Sequence, residues 1–270
     1  MTITEQAIET LKQYEPEEGY LLGFSGGKDS IVIHKLAEMA GIKFTAIHNY
    51  TTVGVKSVID NMKKYYPGVV IEYPKETMYQ LIARKGLPSR LIRWCCWELK
   101  ESSHWGRMWI LGVRKDESYQ RSQRALMFEY RLRTRTKKEL SQDDYESLYL
   151  KNGCRKIVNI IVDWTDDEVW SFIREHNLPY PSVYDNGFDR VGCIGCPMQY
   201  KTARAKQFEM FPLHRKAYLW GIQGYLDRSI KLDRNNIFTR INDAELIMQW
   251  WISGMKEKSF MEKLTREDTK

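Results

Sequence analysis

Two sets of residues in this chain have the types and spacing to do chemistry. The first is Gly23-Phe24-Ser25-Gly26-Gly27-Lys28-Asp29-Ser30, between the apolar runs Tyr20-Leu21-Leu22 and Ile31-Val32-Ile33. A strand that turns through two glycines into a helix aims free backbone N–H groups and the positive end of a helix dipole at one point, where an anion can sit. Without a Cβ at Gly26 or Gly27 the backbone can come close to a phosphate, and the Ser25 and Ser30 hydroxyls add donors. The common phosphate-loop pattern GxxxxGK[ST] is not met, because the glycine spacing differs and Asp29, not a hydroxyl residue, follows Lys28. A carboxylate beside a bound anion is repulsive unless a cation such as Mg²⁺ lies between them or the carboxylate caps the helix.

The second set is sulfur. Cys95 and Cys96 are adjacent, and Cys193 and Cys196 form a C-x-x-C within Arg190-Val191-Gly192-Cys193-Ile194-Gly195-Cys196-Pro197. Gly192 and Gly195 permit the tight turns that bring two thiolates to one centre, and Pro197 ends the loop. Four thiolates can bind zinc or a four-iron four-sulfur cluster. Adjacent cysteines reach two corners of a cube more readily than two vertices around one small ion, but the spacing leaves both groups open. Cys154 stands outside the pattern and reads as a small core or surface residue. Five cysteines is an odd count, and the N-terminal stretch Met1-Thr2-Ile3-Thr4-Glu5-Gln6 is polar and acidic. Both argue against a disulfide framework or a secretory signal, and the expected location is cytoplasmic.

The elements that must position these residues follow from periodicity. Strands are expected over 20–24, 43–48, 69–72, 108–113 and 157–161, and helices over 3–14, 29–40, 53–66 and 75–84. Thr165 and Glu168 form a capping box that opens a helix running to about residue 176. Strands alternating with helices predict an α/β fold with a parallel, Rossmann-like sheet, whose ligands sit beyond the C-terminal ends of the strands. The glycine loop, His48 at the end of the second strand, and the Gly112–Arg114 turn would then share one rim. After residue 200 the chain reads as helical, so the expected organisation is a nucleotide-binding domain with the cysteine site over 1–200 and a helical C-terminal extension over 201–270.

The 270 residues suit one large α/β domain with a small appendage, and no apolar run approaches a membrane span. The formal charge of +7 fits an anionic partner, a nucleotide or a nucleic acid. Much of the excess lies over 114–138, which holds Arg121, Arg124, Arg131, Arg133, Arg135, Lys137 and Lys138; the reading is a nucleic-acid contact or, equally, a solvated face. The aromatics after residue 200 read first as helix packing.

The S-G-G-x-D-S pattern resembles the pyrophosphate loop of the adenine-nucleotide alpha-hydrolase (PP-loop) superfamily. Together with Cys95-Cys96 and Cys193-x-x-Cys196 it resembles the phosphoadenosine (adenylyl) sulfate reductase family, whose cluster-bearing members carry a CC…CxxC set. Gly112-Val113-Arg114-Lys115-Asp116-Glu117-Ser118 is similar to that family's G-x-R-x-x-E-S element. Trp164-Thr165-Asp166-Asp167-Glu168-Val169-Trp170, followed by Leu178-Pro179-Tyr180, is similar to the element before its C-x-x-C. The resemblance spans roughly residues 18–200.

The resemblance implies a PP-loop fold, an adenine nucleotide (ATP with Mg²⁺, or an adenylyl sulfate) and a four-iron four-sulfur cluster, with zinc as the alternative. It implies action at or near the alpha-phosphate by Ser25, Asp29 and Arg114. Nucleotide contacts are expected from Ser25, Gly26, Gly27, Lys28, Asp29, Ser30, His48, Gly112 and Arg114, and metal ligation from Cys95, Cys96, Cys193 and Cys196. One departure matters: reductases of the family use a nucleophilic cysteine in a later E-C-G-L-H motif, and in these 270 residues no cysteine follows Cys196. What remains resembles cluster-bearing ATP-using relatives such as DNA phosphorothioation sulfurtransferases and tRNA thiolation enzymes. The expected function is therefore sulfur transfer, with nucleic acid as a candidate acceptor, a sulfur-donor or reductant protein as a further partner, and oligomerisation left open. The alternatives are a phosphoadenylyl or adenylyl sulfate reductase with a displaced or external thiol, and a non-catalytic nucleotide- or nucleic-acid-binding subunit.

Overall fold

The computed structural model describes residues 1–117, 119–122, 126–131 and 154–267, which group into two compact units. The first unit comprises residues 1–49, 56–72 and 102–191; the second comprises 50–55, 73–101 and the chain from 192.

The first unit is an α/β layer structure. Its strands are β1 (Tyr20–Gly23), β2 (Phe44–Asn49), β3 (Val70–Glu72), β4 (Met108–Ile110), β5 (Met127–Arg131) and β6 (Cys154–Val158), in the order β3-β2-β1-β4-β6-β5. β1 pairs in parallel with β2 and β4, β2 with β3, and β4 with β6, as the alternating pattern predicts. β5 runs antiparallel to β6 at the sheet edge and is not foreseen in the sequence. Such an edge strand is common on parallel sheets and needs no crossover helix. β6 also starts earlier than the apolar run 157–161 predicts: Ile160 and Ile161 lie beyond it in a turn, closed by Val162 N–H to the Asn159 carbonyl at 3.0 Å, and are buried there.

Side chains alternate across the sheet. Tyr20, Leu22, Ala46, Ile110 and Val158 join the large core with α1 (Ile3–Gln13) and α2 (Lys28–Ala40), while Leu21, Ile47, Trp109 and Ile157 form a smaller layer on the other face. This period of two fixes the register, because a slip of one residue would turn each set to the wrong face. α3 (Lys56–Tyr65) follows β2 after a gap, and α5 (Asp166–Glu175) opens with the predicted Thr165–Glu168 capping box, Glu168 N–H to Thr165 Oγ1 at 3.2 Å and Thr165 N–H to Glu168 Oε2 at 2.6 Å. Since β1, β2 and β4 are parallel neighbours, the loops after their C-terminal ends share one rim.

The second unit is helical. It holds α4 (Met78–Lys85), a helical turn over Trp94–Cys96 that widens into a π-helical turn over Trp97–Glu101, and α6 (Lys201–Met210), α7 (Pro212–Lys231), α8 (Ile237–Ile241), α9 (Ala244–Ser253) and α10 (Glu257–Glu267). α4 and α7 touch backbone to backbone: a Cβ on Gly221 would stand 2.7 Å from the Tyr79 carbonyl oxygen. Pro212 begins α7, where its missing N–H costs nothing.

Candidate functional site

Two sites are described, one in each unit. In the first unit the glycine loop joins β1 to α2. Gly26 has φ +79°, and a Cβ there would lie 2.5 Å from Val58 Cγ1, so both conformation and space demand glycine. The hydroxyls hold the loop in shape: Ser30 Oγ donates to the Gly27 carbonyl at 2.7 Å, Ser25 Oγ donates to Ser30 Oγ at 3.2 Å, and Gly27 N–H donates to Ser25 Oγ at 3.3 Å. His48 at the end of β2 lies with Nδ1 2.8 Å from the Phe24 carbonyl, so Nδ1 carries the proton and the ring is fixed beside the loop.

Behind the loop stands a buried charge network. Arg114, only 2% exposed, donates from Nε to Asp29 Oδ1 and from Nη2 to Asp166 Oδ1, both at 2.6 Å, and from Nη1 to the Trp164 carbonyl at 3.3 Å. Gly112 brings this turn against α2, because a Cβ there would sit 3.0 Å from the Asp29 carbonyl carbon. Lys28, 4% exposed, does not reach solvent; its ammonium donates to the Asp189 carbonyl at 2.9 Å, pairs with Asp166 at 3.0 Å and lies over the Tyr184 ring, 5.6 Å from its centroid. Burial alone would raise the Asp166 carboxyl, but Lys28 and then Arg114 outweigh it and hold the group below the usual carboxylate range. Burial likewise works against the Arg114 charge, and Asp29 and Asp166 reverse it, so the guanidinium titrates even higher than usual. The direct phosphate contact expected of Arg114 would require these carboxylates to give way. Glu117 binds the Arg114 N–H at 3.2 Å and pairs with Arg121, which places the acids after Arg114 as loop-shaping groups.

Sequence reasoning missed Tyr184. Its hydroxyl oxygen accepts the Lys28 N–H, the first of α2, at 2.9 Å, and burial pushes the phenol up to about 12. The oxygen therefore takes a helix N-terminal donor of the kind a phosphate oxygen would use. Nothing local marks Tyr184, since its place depends on the chain returning 156 residues later. Asp166 was readable only as part of a capped helix start, not as the shared partner of Lys28 and Arg114.

The second unit carries the four cysteines of the CC and C-x-x-C pairs. The C-x-x-C loop is clamped at three backbone groups: Ile194 N–H to the Val53 carbonyl at 2.7 Å, Tyr218 Oη to the Ile194 carbonyl at 2.9 Å, and Gly195 N–H to Gln207 Oε1 at 3.0 Å. Gly195 has φ +70° and would meet Phe208 Cζ at 2.5 Å with a Cβ. The Cys193 thiol donates to Thr51 Oγ1 at 3.6 Å, and Cys96 N–H closes a turn onto the Arg93 carbonyl at 3.1 Å. All four thiols are partly exposed.

The four sulfurs share one electrostatic neighbourhood. The hydrogen bond from Cys95 lowers the Cys96 thiol to about 6, helped by Lys100 and Arg93, while the same bond, burial and the charges of Cys96, Cys193 and Cys196 push Cys95 up. Burial raises Cys196, and the thiolates of Cys193 and Cys96 raise Lys100. Among the described residues no three Cys, His, Asp or Glu side chains are arranged around a single metal-ion position. By residue type alone the four sulfurs suit either zinc or a cubane cluster. Cys154 opens β6 opposite Arg131 on β5. Of the basic 121–138 segment, Arg124, Arg133, Arg135, Lys137 and Lys138 lie outside the described residues.

A comparison with protein families matches residues 19–199 to the phosphoadenosine phosphosulfate reductase domain. The chain belongs to this family. Within the phosphoadenosine phosphosulfate reductase family, an uncharacterized protein of Methanocaldococcus jannaschii is 28% identical over 201 residues, 70% of this chain and 44% of that protein. The adenosine 5'-phosphosulfate reductase of Oceanobacillus iheyensis is 28% identical over 179 residues, 62% of this chain and 65% of that protein. The chain thus spans less than two thirds of each of these relatives. The crystal structure of phosphoadenylyl-sulfate reductase from Candida auris, a phosphate complex, superposes with a TM-score of 0.47 at 16% identity, covering 72% of this chain and 88% of that one. No helix among the described residues is long and apolar enough to cross a membrane.

Proposed function

We propose that this member of the phosphoadenosine phosphosulfate reductase family binds ATP with Mg²⁺ at the Ser25–Ser30 loop and promotes attack at the alpha-phosphate in a sulfur-transfer reaction. An oxygen of the acceptor attacks the alpha-phosphorus and pyrophosphate leaves; a sulfide-equivalent nucleophile from a donor then displaces AMP. The observation that carries the reading is the pairing, in one chain of this family, of the Gly26–Gly27 cradle with a four-cysteine set while no cysteine follows Cys196 in these 270 residues. Within these 270 residues Cys154 is the one cysteine outside the set of four.

The residues divide the work. Backbone N–H groups at Gly26 and Gly27, with the Ser25 and Ser30 hydroxyls, hold the phosphates by the helix N-terminus effect, and the Lys28 N–H joins them when a phosphate oxygen displaces the Tyr184 hydroxyl. Asp29, fixed through Oδ1 by Arg114, would hold Mg²⁺, which would neutralise phosphate charge, and Arg114 acts through Asp29 as a positioning residue. Gly112 allows that approach and His48 buttresses the loop. Cys95, Cys96, Cys193 and Cys196 hold a four-iron four-sulfur cluster; the adjacent pair and the family's CC…CxxC set favour it over zinc. When bound, the cluster supplies redox or sulfur-ligating iron. The reaction needs positioning and charge neutralisation more than a general base, so the lack of an assigned base is no obstacle.

The test is made on protein purified without oxygen. Iron, acid-labile sulfide and zinc are measured, and ATP is assayed for AMP and pyrophosphate. About four irons per chain with AMP release that is lost in Asp29→Ala supports the proposal. The identity to the Oceanobacillus iheyensis reductase favours a second reading, adenylyl sulfate as the nucleotide. Sulfite release from adenylyl sulfate with an added thiol, and no ATP cleavage, would replace the first reading by that one. Nucleotide binding without turnover of either would leave a binding subunit.

A further inference from the structure

The net charge of the chain is divided unevenly. The cysteine-bearing unit carries 20 Lys and Arg against 12 Asp and Glu, whereas the sheet-bearing unit carries 22 against 23, even though it includes the basic 121–138 segment. The whole positive excess therefore belongs to the helical unit.

Part of that excess gathers around the cysteines. Arg90 and Arg93 stand just before the Cys95–Cys96 turn, and Lys201 follows Cys196 at the start of α6. Trp251 ties the two stretches together: its indole N–H donates to the Pro88 carbonyl at 2.7 Å, and its own carbonyl accepts from Nη2 of the buried Arg204 of α6 at 2.7 Å. Arg204 N–H in turn donates to the Tyr200 carbonyl at 3.0 Å, and Cys96 N–H to the Arg93 carbonyl at 3.1 Å. The stretch from Pro88 to the Cys95–Cys96 turn and the first turn of α6 are thus joined through Trp251. Other cations of the unit are paired, Arg84 with Glu76, Lys85 with Glu98, Arg215 with Glu245 and Arg240 with Glu257. Among the described residues Arg90, Arg93 and Lys201 have no carboxylate within ion-pair distance.

Apolar groups stand exposed between these cations. Leu91 is 96% exposed, Ile92 is exposed beside it, and Tyr200 is 82% exposed at the N-cap of α6, next to Lys201. Lone exposed apolar residues need no explanation, but an aromatic ring and two aliphatics interleaved with unpaired cations beside a reactive centre match the chemistry of an unstacked polynucleotide. A duplex would use the cations and leave Tyr200 without a base face.

We propose that the face formed by residues 90–93 and the start of α6 binds single-stranded nucleic acid, with Arg90, Arg93 and Lys201 on phosphates and a base stacked on Tyr200, so that the strand lies over the cysteine site. This deepens the sulfur-transfer reading by placing its acceptor, and rests on that reading only for the strand's fate; binding is measured without turnover.

The experiment uses the full chain and a labelled deoxythymidine single strand of about 20 nucleotides, with fluorescence anisotropy at low and raised salt. Affinity is expected to fall roughly tenfold between about 50 and 200 mM salt. Arg90→Glu with Lys201→Glu weakens binding more than about tenfold, and Tyr200→Ala by about fivefold or more, each without loss of ATP binding or of the thermal transition. Failure of wild-type protein to bind, equal affinity for a duplex of the same length, or loss of binding in Arg133→Glu with Arg135→Glu but not in Arg90→Glu with Lys201→Glu would overturn the proposal. ATP binding is read in the same samples, so a failure of the strand site is distinguishable from a failure of the nucleotide loop.

Discussion

The two sites achieve order by opposite means. At the nucleotide loop the cations are internal: Lys28 and Arg114 are buried and answered by Asp29 and Asp166, and the sheet-bearing unit is nearly neutral. At the cysteine site the clamp is neutral, built from backbone groups, Gln207 and Tyr218; the buried Arg204 is answered by the Trp251 and Ile252 carbonyls, and Arg90, Arg93 and Lys201 face outward without carboxylates. The contrast suits the two proposed roles. A loop that receives a small polyanion must be held rigid by charges that are already neutralised, since a bare buried guanidinium would cost too much. A thiolate site that works on a large anionic partner can leave its cations in water, where they cost little and steer from a distance.

The largest effect that would break this contrast is Arg114→Ala. Removing one member of a buried charge network leaves the others unpaired, so a loss of about 3 kcal/mol in unfolding free energy is expected. Chemical denaturation measures it, and a loss below about 1 kcal/mol would mean that Asp29 and Asp166 are served by water and that the network is not structural. Arg114→Lys should recover only part, because one ammonium cannot bridge two carboxylates as the fork does. Next is Gly195→Ala on the neutral side. The left-handed φ and the 2.5 Å clash with Phe208 together predict about 2 kcal/mol of destabilisation, with reduced iron retention. Unchanged iron content and melting would show that the C-x-x-C loop is not held by its clamp.

How much of this was legible in the sequence differs between the two sites. The glycine loop, the strands on either side of it and the Thr165–Glu168 cap could be read directly, because each depends on neighbours within a few residues. The cysteine set could be read as a pattern because few residue types bind soft metals. What could not be read depends on chain returns: Tyr184 on the Lys28 N–H, Asp166 shared by Lys28 and Arg114, and Gln207 on the Gly195 N–H. The antiparallel β5 is of the same kind, since its short run Met127–Arg131 gains its meaning only from β6. The charge run near residue 130 is conspicuous in sequence, yet the sheet-bearing unit as a whole balances it with acids, a cancellation visible only once the unit's membership is known.

A smaller effect sharpens the comparison at the loop itself. Tyr184→Phe deletes the acceptor for the Lys28 N–H and should cost about 1 kcal/mol of stability. If the hydroxyl competes with a phosphate for that donor, the same variant binds ATP more tightly, as titration calorimetry would report. Weaker ATP binding would instead make the phenol a donor to the nucleotide.

The smallest expected effect is on pH dependence, and it separates the internal network from the outward cations. The Asp166 carboxyl is held below its usual range by Lys28 and Arg114. Its folded-state pKa is thus lower than the unfolded value, about 4. The stabilisation it gives is therefore complete above that unfolded value, and is lost as pH falls below it and through the lower folded value. Asp166→Asn cannot ionise, so the stability gap between wild type and variant should be constant from pH 7 down to about 5 and should narrow below about 4. Because Asp166 is about half exposed at its side chain, solvent screens the pair and the gap stays small. Arg90→Ala on the outward face should show no such convergence, since that guanidinium has no carboxylate partner whose protonation would matter. A gap for Asp166→Asn that persists unchanged to pH 3 would mean that its hydrogen-bond geometry, not its charge, holds Lys28 and Arg114 in place.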